Sequence, residues 1–160
     1  MKTCRIFMTI DGVLNSEHHL VRYRGGPMPI LLFGRADLDY DLIEILNSVG
    51  RNTPADMTLL PTWRFNTTSL KVIRQKFYDV GLGLNIANAI SDYSNKEELI
   101  IAEAKKLNVN PVILDTDQTE YTLMQDRLIR VSRVSGLRPG HGNQILALAK
   151  KEWHYEQAFP

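Results

Sequence analysis

Several polar residues stand where short apolar runs end, and their types suit phosphate chemistry. Thr9 and Asp11 close the run that starts at Cys4, Thr62 and Arg64 follow Met57 to Leu60, and Asp115 and Asp117 follow Pro111 to Leu114. Lys96 stands near the start of a helical stretch between the last two. Phosphate hydrolysis needs negative charge neutralised, an attacking group in line and a proton delivered to the leaving oxygen. Asp115, Asp117 and the backbone oxygen of Asp11 are the hard oxygen donors that magnesium prefers. Thr9 is uncharged and attacks poorly unless a base takes its proton; Asp11 can be that base only where the chain turns sharply.

An Asp after an apolar run is by itself more often a turn residue or a helix cap. Position changes that weighting. The run from Cys4 to Ile10 suits a buried strand, and Asp11-Gly12 ends it. Asp37 to Val49 has helical spacing of Leu38, Leu42, Ile45, Leu46 and Val49, with Gly50 as the stop. Met57 to Leu60 is a second strand. Asn66 is the expected N-cap of a helix to about Val80, stopped by Gly81 and Gly83. Ile86 to Ile90 is a short strand, and Ser94 to Glu97 matches a capping box that opens a helix through Leu107. Pro111 to Leu114 and Leu128 to Val131 are further strands, and His141 to Glu152 a last helix. Strands alternating with helices imply a parallel sheet between helical layers. Ligands of such sheets gather at the carboxyl ends of the strands, where the polar clusters fall.

At 160 residues and 44% hydrophobic, the chain can bury one full core, so a single domain over residues 1–160 is expected. With 19 basic and 18 acidic residues the formal charge is +1, which argues against a dedicated polyelectrolyte binder. The single cysteine, Cys4, excludes an internal disulfide and a multi-thiolate zinc site, and is expected as a small buried side chain. No apolar run approaches the ~20 residues of a membrane span, and the strand at the start leaves no room for a signal peptide. A cytoplasmic protein is expected. Residues 16–35, with Gly25, Gly26, Pro27, Pro29 and Gly34, read as a long functional loop or hairpin. His18-His19 and the arginines Arg22, Arg24 and Arg35 read as solvated surface, as do Arg127, Arg130, Arg133 and Arg138.

Thr9-Ile10-Asp11-Gly12-Val13-Leu14-Asn15 resembles the first motif of the haloacid dehalogenase (HAD) phosphatase superfamily, D-x-D-G-V-L-N. The resemblance extends from Cys4 to about Ala149 and is nearest to small-cap members. It implies an α/β three-layer sandwich with a parallel central sheet and a minimal loop or hairpin cap. It also implies catalytic roles for positions 9 and 11 and for Lys96, phosphate binding by Thr62, Arg64 and Lys96, and magnesium held by Asp11, Asp115 and Asp117. The family's second-motif hydroxyl falls on Pro61 or on Thr62. Position 9, where the family has its nucleophilic Asp, is Thr. The implied function is magnesium-assisted handling of phosphate esters, with a phosphorylated small molecule, a nucleotide or a nucleic-acid end as ligand. The alternative is an inactive pseudo-phosphatase that binds a ligand or a protein partner.

Overall fold

A computed structural model describes residues 2–17, 38–61, 69–92 and 94–159. Thr62, Trp63, Arg64 and Asn66 lie outside the described residues, as do His18, His19, Arg22, Arg24, Arg35 and most of the expected loop or cap.

Five parallel strands form one sheet in the order β3-β2-β1-β4-β5. They are β1 (Cys4–Met8), β2 (Ala55–Leu59), β3 (Asn85–Ala89), β4 (Asn110–Asp115) and β5 (Leu128–Arg130). The helices are α1 (Tyr40–Asn52), α2 (Leu70–Asp79), α3 (Lys96–Leu107) and α4 (Pro139–Lys150). Alternation along β1 sorts the two faces. Cys4, Ile6 and Met8 pack with α1, α2 and α4, while Phe7 on the other face packs with Ile100, Ile101 and Ala104 of α3. The result is a Rossmann-like α/β sandwich. No helix among the described residues is long and apolar enough to cross a membrane.

The chain moves outward from β1 to β2 to β3, then crosses back through α3 to β4. Its direction therefore reverses between β1 and β4, which pair with Met8 opposite Leu114. At such a switch point the loops diverge and leave a crevice outside the carboxyl ends.

Three local expectations are corrected. Gly50 does not stop α1, which runs on to Asn52. A Cβ on Gly50 would stand 2.8 Å from Leu84 Cδ2, so this glycine serves close helix packing. Ser69, not Asn66, caps α2, its hydroxyl accepting from the Val72 amide. The Ser94–Glu97 capping box does not form. Asn95 is the N-cap of α3 without a side-chain cap bond, and Ser94 donates to Asp92. Glu97 instead accepts from the backbone amides of Thr122, Leu123 and Met124 at 3.0, 2.7 and 2.8 Å. That carboxylate fastens the loop after β4 to the start of α3.

Candidate functional site at the carboxyl ends of β1 and β4

The loop after β1 turns back at once, because the amides of Val13 and Leu14 both donate to the carbonyl of Ile10. Gly12 has φ +81°, a conformation open to glycine and strained for other residues. A Cβ there would come within 2.8 Å of Thr116 Cγ2, so Gly12 also lets this loop approach the loop after β4. Asn15 holds the turn from inside, accepting from the Gly12 amide at 2.7 Å and donating to Asp11 Oδ1 at 3.0 Å. From the other side, residues after β5 brace it: Leu137 donates to the carbonyl of Val13 and Glu17 to that of Arg133.

Asp115 is the buried centre. Its Oδ2 accepts from Lys96 Nζ at 2.8 Å and from the Tyr121 hydroxyl at 2.7 Å. Its Oδ1 accepts from the amides of Thr116 at 2.7 Å and Asp117 at 3.3 Å. Each oxygen thus has two donors, which fills the capacity of a carboxylate. Lys96 comes from the first turn of α3, and its ammonium also meets Glu120 Oε2. It lies 5.2 Å from the centroid of the Tyr121 ring. Burial alone would push the Lys96 pKa down. The bonds to Asp115 and Glu120 outweigh it, so the pKa is raised and the ammonium stays charged. Burial, with the charge of Asp115, pushes the Tyr121 hydroxyl pKa up, so Tyr121 is a neutral donor.

The expected residues therefore separate into groups. Lys96 and Asp115 come together. Thr9 stands beside them in the fold: its amide donates to Leu114, the residue before Asp115, at 3.2 Å. Its hydroxyl is buried and has no hydrogen-bond partner. Although the chain does turn sharply, no base is bonded to Thr9 Oγ1. Asp11 is half-buried, with its carboxylate bonded to Asn15. Asp117 is exposed and folded into its own turn, its Oδ1 accepting from the Thr119 amide at 2.8 Å and hydroxyl at 2.6 Å. Those bonds hold its pKa below the usual value. Pro61 is buried at the end of β2.

Glu120 and Tyr121 belong to this cluster and were not singled out by sequence. The signal available was an acid and an aromatic side by side in a polar loop, five and six residues after Asp115. A buried tyrosine hydroxyl needs a partner, and the strand-end carboxylate is the near one.

A magnesium ion would need oxygen ligands with open lone pairs. Asp115 has none left, Asp117 turns to Thr119, and Thr9 brings no charge. Among the described residues no group of three or more His, Cys, Asp or Glu is placed to hold a metal. The side chains as arranged do not fit that ion. What they can do is present one buried ammonium and one unbonded hydroxyl at the head of a parallel sheet.

Arg127, expected on the surface, is fully buried in the short turn Gln125–Arg127. It donates to the carbonyls of Pro111 at 2.8 Å, Lys151 at 3.1 Å and Leu148 at 2.8 Å. An arginine between Asp126 and Leu128 gave no sign that backbone carbonyls at the end of α4 would enclose it. Arg130, Arg133 and Arg138 are exposed, as expected.

In comparisons with family models, with curated proteins and with solved structures, nothing matches this chain.

Proposed function

We propose that this chain is a HAD-like protein that binds a phosphate ester at the carboxyl ends of β1 and β4 without rapid turnover, a pseudo-phosphatase of the small-cap type. The observation that carries it is Thr9: a buried hydroxyl with no hydrogen-bond partner among the described residues, at the position where hydrolysis would need an activated nucleophile. Lys96 supplies the charge. Asp115 and Tyr121 hold it from the buried side, while Glu120, 42% exposed at its side chain, holds it from the open side. An incoming phosphate competes with Glu120 for the ammonium and gains a donor in the Thr9 hydroxyl. Nucleotides and nucleic-acid ends are the first ligands to test, since a minimal cap leaves the crevice open to large esters.

Hydrolysis is the second reading. Retention of the buried Lys96–Asp115 pair and of Asp11 favours it, because a site kept only for packing has no use for a buried ammonium.

Calorimetry with inorganic phosphate and a nucleoside monophosphate separates the two, together with aryl phosphate turnover in magnesium. Binding that is lost in Lys96→Met and strengthened in Glu120→Gln, with turnover near background, is expected. Fast turnover by the natural chain, slowed in Thr9→Asp, would establish the hydrolase. Thr9→Asp restores the carboxylate the family uses, and a gain of activity in that variant would mark Thr9 as the lesion. Absence of phosphate binding in every form would remove both readings.

A further inference from the structure

On the α3 face of the sheet lies an open cavity of about 650 Å³ between α3 and β3, reaching from Arg5 near the start of β1 to Ser91 and Asp92 beyond the end of β3. Its lining includes Arg5, Asn88, Ile90, Leu99, Glu103 and Lys106. Among the described residues α3 is the one α-helix on this face, and polar side chains of the inner strands stand beside the gap. Arg5 is the anomaly among them. It is 7% exposed, and its Nε and Nη1 are enclosed with no hydrogen-bond partner. Asp56 Oδ2 stands 3.9 Å from Nη2, close enough to feel the charge and too far for a hydrogen bond. A buried guanidinium left in this state is costly, and natural proteins seldom keep one without a use.

The acids and the amide oxygen around the cavity already have donors within the chain. Glu103 accepts from Thr58 Oγ1 at 2.5 Å and from Asn88 Nδ2 at 2.9 Å. Asn88 Oδ1 accepts from the Ala89 amide, and Asp92 from Ser94 and Asn95. What remains unspent is donor capacity and positive charge, on Arg5 within and on Lys106 at the exposed end of α3. The apolar part of the wall is Ile90, Leu99, Leu107 and three alanines, with Ser91 beside them. We propose that this cavity is a binding site for an amphipathic organic carboxylate, its anionic head bonded by Arg5 and its hydrocarbon body against Ile90 and Leu99. Guanidinium suits a carboxylate because its planar fork can give two parallel bonds. None of the crevice residues Thr9, Asp11, Lys96, Asp115, Glu120 and Tyr121 lines it.

The test is an NMR titration of the whole chain, following the Arg5 Nε–Hε resonance, with octanoate, octanol and inorganic phosphate as probes. Octanoate should move that resonance saturably, while octanol and phosphate at equal concentration should not. Arg5→Lys should weaken octanoate binding, followed by calorimetry, about tenfold or more. Ala102→Phe fills the cavity from α3 without touching the guanidinium, and should abolish the shift in a protein whose Arg5 signal persists. A resonance that octanoate leaves unmoved would overturn the proposal. So would an equal response to octanol or to phosphate, or octanoate binding that survives Ala102→Phe.

Discussion

Among the described residues two arginines are buried, and they are treated in opposite ways. Arg127 gives three hydrogen bonds to backbone carbonyls, two of them at the end of α4, where the last turn of a helix leaves carbonyls short of intrahelical donors. Arg5 gives none from Nε or Nη1, although it is nearly as deep. Burial is therefore not what separates a structural arginine from one that faces a ligand. Satisfaction is. The same rule sorts the crevice, where Asp115 is saturated and Thr9 is left unbonded.

Replacing Arg127 should do the most damage. Arg127→Met removes three charge-assisted bonds to backbone carbonyls, and a loss of about 4 kcal/mol in urea unfolding is expected. A loss below ~1 kcal/mol would mean that burial alone, not bonding, described this residue.

Next comes Lys96. Lys96→Met strands the buried carboxylate of Asp115, at about 3 kcal/mol; the contact to half-exposed Glu120 adds little. Adding Asp115→Asn should recover part of that loss, and a double-mutant cycle without coupling would contradict the pairing.

Cys4 reads both arginines. Burial pushes its thiol up to about 12, against the opposing pull of Arg127 and then Arg5. A group whose folded pKa is raised stabilises fully below its unfolded value, here 9.0, and loses that contribution as pH rises towards the folded one. Stability should fall by about 1.4 kcal/mol per pH unit above pH ~9, and Cys4→Ala should delay the onset. The raised pKa values of Lys96 and Tyr121 act in the same direction at higher pH.

Arg5→Met should have the smallest effect, within about 1 kcal/mol of the natural chain or stabilising, because it replaces a buried guanidinium with two unbonded nitrogens and only a long contact to Asp56 by an apolar side chain. A loss above ~2 kcal/mol would place Arg5 with Arg127 and end the contrast.

Much of the fold was legible in sequence, because each buried strand is a short apolar run and each helix keeps its periodicity. Both neighbours of β1 follow from the crossovers, and the meeting of Lys96 with Asp115 follows from the strand ends. What was hidden depends on distant partners. Ser94 to Glu97 has the local pattern of a capping box, yet a loop 25 residues on claims the Glu97 carboxylate. Gly50 reads as a stop because glycine ends many helices, and only Leu84 reveals its packing use. Glu120 and Tyr121 lie in a loop without periodicity, so nothing local aims them at Lys96. Arg5, one polar residue in an apolar strand, is visible in sequence, but whether acceptors surround it is not.

Glu97 also bears on how the chain folds. By gathering three amides across a span of 25 residues, its carboxylate works as a reversible crosslink between α3 and the segment that follows β4. Closing a loop of that length costs chain entropy that must be repaid when the two parts dock. The helix and the loop should therefore order in one cooperative step, and the amides at 122–124 should exchange with solvent as slowly as those of α3, not as a surface loop.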